Sequence, residues 1–284
     1  MKFLIQHNTH YSYSQLVQLG PQDLRFHPRD DGSQRVISFQ LNISPKPAGR
    51  YEHTDLEGNR VTQVWFNQQT DHFDIQVNME VETLRHNAFD FILAPEAVTL
   101  PINHVEDFIY TQGYLKRIDP VDRVTTFSKE IANAVNNDTL SFLGNLTQQL
   151  FYGFNHIHRD TGEPQSPGHT LKTRQGACRD LAVLFIDCCR SLGIAARFAS
   201  GYQKGDVLSE RRHLHAWPEV YLPGVGWLGY DPTHGNVITD THVTIAAAAQ
   251  SSNTMPVSGT LSGTLSDTRV TSTLNYQIQI QVSE

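Results

Sequence analysis

The sequence predicts an α+β protein in which an antiparallel β domain precedes a second domain that begins with helices and ends with strands. Three observations carry this. Apolar residues alternate with polar ones from Phe3 to Tyr13, from Ile37 to Ile43 and from Phe73 to Val81, with no helical pattern between them. From 121 to 192 the apolar spacing changes to three and four residues, and after 213 it reverts to strand spacing broken by Gly/Pro turns. The chain has 284 residues, of which 39% are hydrophobic, enough to fill a core in each of two domains.

In chain order, Phe3, Ile5, His7, Thr9, Tyr11 and Tyr13 mark one strand, and Ile37, Phe39, Leu41 and Ile43 another. Asp55-Leu56-Glu57-Gly58-Asn59 reads as a turn before a strand from Val61 to Phe66. Strands at this spacing predict a sandwich-like antiparallel domain over 1–85. Residues 86–120 mix aromatics and prolines without period and form an ordered connector, too aromatic to stay solvated. The second domain is assigned to 121–284. Asp119-Pro120 reads as a cap and first helical residue, with Val124, Phe127, Ile131 and Val135 on the buried face and Asn136-Asn137-Asp138 as the stop. Leu143, Leu146, Leu150 and Phe154 stripe a second helix, and 159–175 reads as a loop. Residues 251–266 read as an exposed loop, and the alternation from Leu274 to Val282 as a final strand.

The chemistry concentrates between Thr173 and Thr233. After Gly176 a helix begins whose apolar residues Leu181, Leu184, Phe185, Cys188 and Leu192 are joined on the other flank by Ala182, Val183, Ile186 and Cys189, so only its first turn can meet a substrate. Cys178 lies in that turn, where free backbone N–H groups and the helix dipole favour thiolate. His213 and His215 share one face of a following strand that Pro218 is expected to interrupt; Trp217 and Glu219 extend that face, which favours His215 as the base. The turn Pro223-Gly224-Val225-Gly226 makes a hairpin that can return Asp231 beside His215 as the group that orients the imidazole.

Four fragments, Gly176-Ala177-Cys178-Arg179-Asp180, Leu192 to Tyr202, His215-Ala216-Trp217-Pro218-Glu219-Val220-Tyr221 and Gly226 to Thr233, together resemble the core of bacterial transglutaminase-like cysteine peptidases. The opening residues resemble the β-rich N-terminal domain that often precedes that core in bacteria. The resemblance covers about 1–83 and 121–234. It implies a papain-like core in which Cys178 is the nucleophile, His215 the base and Asp231 the orienting acid. The expected chemistry is amide or peptide hydrolysis, or acyl transfer, through a thioester acyl-enzyme on a peptide or protein substrate; the bacterial likeness leans towards hydrolysis. Gly176, Trp217 and His213 are candidate cleft residues, and the Cys178 backbone N–H a candidate oxyanion donor. The alternative is a protein that keeps this fold for binding or scaffolding without turnover.

Other classes fit less well. The net charge of -7 and the lack of a basic run argue against nucleic acid or an anionic membrane as partner. The longest apolar run, Leu181 to Ile186, is far too short to span a bilayer, and no extended apolar stretch at the N-terminus reads as a signal. All three cysteines lie between 178 and 189 on one helix, which predicts reduced thiols and a cytoplasmic protein. The sequon at Asn145 carries no meaning in that setting. The pairs His156/His158 and His213/His215, with Cys178, allow a zinc reading, but no His-Glu-x-x-His helix or paired-cysteine spacing accompanies them, and neither metal nor cofactor is expected. His156, His158, His169, His234 and His242 are expected at the surface or in loops. Asp180 is expected to cap the Cys178 helix, and Arg179 to be structural or to line the groove.

Overall fold

The computed structural model describes residues 1–102, 108–159, 161–205, 212–263 and 270–283. Five strands come first: β1 (Lys2–Leu24), β2 (Gln34–Ser44), β3 (Gly49–Thr54), β4 (Arg60–Trp65) and β5 (Gln69–Thr83). Helices α1 (Phe108–Leu115), α2 (Asp122–Ala134) and α3 (Thr139–Gly153) follow, then the short β6 (Asn155–His156), α4 (Pro167–Thr173) and β7 (Gln175–Gly176). Helix α5 (Cys178–Arg190) leads into β8 (Ala195–Gln203), β9 (His215–Leu222), β10 (Gly226–Asp231), β11 (Asn236–Val237) and β12 (His242–Ala248). The chain closes with β13 (Val257–Gly263) and β14 (Ser272–Ser283).

The α+β class holds, but the expected sandwich takes the form of one antiparallel seven-stranded sheet. Its path is β2-β5-β1-β4-β3, with β13 and β14 also paired to β1. Strand β1 is long enough to serve several partners. Its first half pairs with β5 and β14, and after an irregularity past Ser12 its second half pairs with β4 and β13. The assignment of everything from 121 to 284 to the second domain is thereby corrected, because the last two strands belong to the N-terminal sheet. Their alternating pattern shows a strand but not its partner.

The second sheet has the order β11-β10-β9-β8-β12. Helix α5 covers one of its faces: Leu181, Leu184, Phe185 and Ile186 are fully buried in a cluster that includes Val220 and Leu222 of β9 and Phe142, Leu146 and Leu150 of α3. Each such side chain contributes about 1.5–3 kcal/mol by leaving water. The other face meets the large sheet, where Tyr202, Val243 and Ile245 join Phe3, Ile5, Val64 and Phe73 in one core. Among the described residues no helix is long and apolar enough to cross a membrane.

Some element limits differ from expectation. Helix α2 starts at Asp122 with Val121 as its cap, because the Asp119 carboxylate instead accepts the Gly168 N–H at 3.0 Å. Its end is as expected, with Asn136 and Asn137 both in the left-handed region at φ 54° and 59°. The loop expected over 159–175 contains α4, capped by Ser166 with Pro167 in the first turn, a start signal visible in the sequence. Pro218 does not interrupt β9. It pairs with Phe198 of β8 but lies beyond the β10 register, which ends at Glu219 opposite Gly229. The loop expected over 251–266 contains β13, and its last three residues lie outside the described ones.

Candidate active site

Each part of the site is placed by a different local device. Asp180 sets the start of α5: its Oδ2 accepts the Ala177 N–H at 2.8 Å, while Oδ1 accepts from the Gln165 N–H at 2.8 Å and from Arg159 at 2.5 Å. This is the capping role expected of it, and it is fully buried. Gly176 has no room for a side chain, since a Cβ there would lie 2.8 Å from the Asp180 Cβ. Arg179 bonds the carbonyls of Arg159 and Thr161 at 2.8 and 2.7 Å and so ties down the preceding loop. Cys178, the first residue of α5, is left partly exposed.

Strand β9 opens at His215, opposite Gly201 of β8. The imidazole places Nε2 2.8 Å from Asp231 Oδ2, which leaves Nδ1 for the Cys178 sulfur, a neighbour near enough to raise the ring's affinity for a proton. The β9–β10 hairpin, with Gly224 and Gly226 at positive φ, returns the chain so that β10 ends on Asp231. The structure thus brings Cys178, His215 and Asp231 together.

Burial works against charge on all three, and their mutual contacts overcome it. It would push the Cys178 thiol up, but the His215 ring, the Ala216 N–H and the Arg179 charge bring it below its ordinary value. Burial would lower His215, yet Asp231 and the sulfur raise it to about 10. The same competition leaves Asp231 well below the usual carboxylate range. Cys188, buried beside the site's core, is pushed up to about 12 and Cys189 well above 9. The arrangement favours a thiolate–imidazolium pair at one cysteine of three.

The cleft candidates are placed differently. Trp217 is only 1% exposed and packs its ring against His215 and His242 at 5.9 and 5.0 Å, a wall behind the imidazole and not an open surface. Gly176 is likewise buried. His213 turns to His158, 4.3 Å between rings, and bonds the Tyr276 hydroxyl of β14. Glu219 pairs with Arg197 at 2.7 Å.

Two histidines expected at the surface or in loops belong to the site: His234, which does lie exposed in a turn, and His242, which does not. His242 of β12 is buried, with Nε2 3.0 Å from Asp231 Oδ2, and His234 places Nδ1 2.7 Å from the same oxygen. The signal for His234 is its position three residues after Asp231 in a turn; nothing in the sequence marks His242. Ligand-type atoms of His215, Asp231 and His234 lie within 4.8 Å of one another. Both nitrogens sit at hydrogen-bond distance from the carboxylate oxygen, closer than two ligands sharing one ion at bonds of about 2.0–2.2 Å usually approach. The cluster therefore fits a hydrogen-bonded network.

Comparison with known proteins agrees with this architecture. Residues 3–82 match the bacterial transglutaminase-like N-terminal region and residues 125–232 the transglutaminase-like superfamily. An uncharacterized protein of Mycobacterium leprae is 25% identical over 91% of this chain and 92% of its own. A protein-glutamine gamma-glutamyltransferase of Pseudomonas aeruginosa is 38% identical over 26% of this chain and 12% of its own. The crystal structure of a proposed cysteine protease from Cytophaga hutchinsonii superposes with a TM-score of 0.71 at 21% identity, covering 100% of this chain and 92% of that one, and so shares its fold. The chain thus matches a bacterial transglutaminase-like N-terminal region and, after it, a transglutaminase-like core over residues 125–232, in an order and a fold shared along its whole length.

Proposed function

We propose that the protein is a cysteine-dependent amide hydrolase or acyltransferase acting on peptide or protein amides through a thioester. The observation that carries this reading is the contact chain from a partly exposed Cys178 through His215 to the buried Asp231. The Cys178 thiolate attacks the amide carbonyl and forms an S–C bond. The oxyanion so formed faces the Cys178 N–H, which as the first of a helix has no intrahelical acceptor. Protonated His215 delivers its proton to the departing nitrogen as the C–N bond breaks. Neutral His215 then takes a proton from water, which attacks the thioester and releases the acid and the thiolate. A primary amine in place of water would give transfer, the reaction that the name of the Pseudomonas relative describes. We favour water.

The test is intact-mass analysis after incubation with a peptide bearing a γ-glutamyl amide, with and without added primary amine. The expected result is an acyl adduct on Cys178 and release of the acid, both absent in Cys178→Ala with a melting temperature within about 1 °C of wild type. Product formation by Cys178→Ala would contradict the reading.

A further inference from the structure

Asp231 does not serve His215 alone. Its Oδ2 accepts from His215 Nε2 at 2.8 Å, His234 Nδ1 at 2.7 Å and His242 Nε2 at 3.0 Å. The His242 tautomer is fixed from behind: its Nδ1 lies 2.9 Å from the Thr241 hydroxyl, which donates to it, so Nε2 carries the hydrogen. Burial holds His242 neutral despite the carboxylate. His234 is 42% exposed on its side chain and reaches the carboxylate from the solvent side.

We propose that His234 and His242 are positioning residues that divide the charge of Asp231, so that His215 can lose its proton once the sulfur is acylated. The inference rests on the acyl-enzyme reading above. While Cys178 is a thiolate, an imidazolium at His215 is what the site needs. After acylation the thiolate charge is gone, and His215 must be neutral to accept a proton from water. An undivided buried carboxylate would hold it protonated and stall the thioester. Two further N–H donors on Oδ2 weaken that hold, one of them on a ring whose centre lies only 5.2 Å from that of His215. Among the described residues, the groups that face this cluster are Cys178 and Arg179 of α5, Asp231, the neighbouring His156 of β6, and the three imidazoles themselves.

The sign of the effect follows. Removing a donor raises the proton affinity of His215 in the acyl-enzyme, so hydrolysis of the thioester fails at a higher pH, while thiolate attack is retained.

The experiment uses p-nitrophenyl acetate. The burst of p-nitrophenol reports formation of acetyl-Cys178, and the steady state reports its hydrolysis. In His234→Ala the acid limb of the steady-state rate is expected to move up by at least 0.5 pH unit with the burst rate within threefold of wild type. In His234→Asn, whose amide can reproduce the Nδ1–H, the limb should move back towards wild type. His242→Leu and His242→Gln provide a second pair with the same expectations. An unmoved acid limb in His234→Ala, or equal loss of burst and steady state in both members of a pair, would overturn the inference. Histidine ring NMR on the acetylated protein reads the same effect directly: the His215 titration should move to higher pH in His234→Ala than in wild type, and an unmoved His215 curve would overturn the inference too. Wild-type protein that forms no acetyl adduct on Cys178 would instead remove the acyl-enzyme reading and this inference with it.

Discussion

Asp231 is fully buried and takes five hydrogen bonds, two on Oδ1 from the N–H groups of Thr233 and His234 and three on Oδ2 from imidazoles. An amide cannot replace it, because its NH2 would face other donors. Asp231→Asn should therefore lower turnover on the order of 10⁴-fold, as the equivalent change does in serine-protease triads, yet leave Cys178 open to alkylation. Full activity in that variant would remove the carboxylate from the mechanism. The pH dependence of stability has a definite sign. His215 is raised from 6.5 to about 10, so its contribution is complete below 6.5 and is lost as the pH rises through about 10. Asp231 is lowered, so its contribution is present above 3.8 and is lost as the pH falls. The difference in melting temperature between wild type and Asp231→Asn should be widest between those limits, and a difference independent of pH would contradict the ion pair. At this scale the cysteine, the first histidine and the aspartate were legible because a helix start, a strand and a hairpin constrain them locally. His242 was not: it reaches Asp231 from a strand at the far edge of the sheet, and no local pattern records that approach.

Among the elements, α5 and the strands beside it are held by close backbone approach. A Cβ on Gly201 would lie 2.0 Å from the Val243 carbonyl oxygen and 2.9 Å from the Trp217 ring, so β8 and β12 meet there only over a glycine. Gly201→Ala should cost about 1–3 kcal/mol in denaturant unfolding and loosen the wall behind His215; a change below 0.5 kcal/mol, of the order seen for surface substitutions, would contradict the packing account. Apolar periodicity revealed α5, α3 and the hairpin, since burial and pattern coincide there. It does not place the start of α2, where Asp119 leaves that helix uncapped and accepts the Gly168 N–H in the first turn of α4 instead. It also missed α4, a helix too short to show a stripe although Ser166-Pro167 announces it.

On the scale of the molecule, the small sheet ends in the edge strand β12, and side chains from the start of β2 and from the β3–β4 turn of the N-terminal sheet cover that edge. Gln34 bonds both the carbonyl and the N–H of Thr244 at 2.9 and 2.8 Å, Asn59 does the same for Ala247 at 3.0 and 2.8 Å, and Glu57 accepts from the Ala249 N–H at 3.0 Å. Two carboxamides thus continue the ladder in place of a sixth strand. Asn59→Ala leaves two buried backbone groups of Ala247 unpaired and should cost about 1–3 kcal/mol for each. It should also separate the unfolding of the two sheets, which are expected to melt together in the wild type. A single unshifted transition would show that the edge does not need its cover. Tyr202 crosses the same boundary to bond His7 at 2.8 Å. None of this could be read from spacing, because alternation reports that a strand has a buried face but not which sheet buries it. That is also why the alternation of β14 does not reveal its pairing with β1.

The central claim is that Cys178 alone is held as a thiolate by His215 over Asp231. The measurement that tests it most directly is the rate of iodoacetamide labelling at each cysteine between pH 5 and 9, read by peptide mass. The account predicts that Cys178 labels well below the ordinary thiol pKa of about 8.5, while Cys188 and Cys189 stay unlabelled in the folded protein. Slow labelling of all three cysteines, rising together towards that ordinary value, would contradict it.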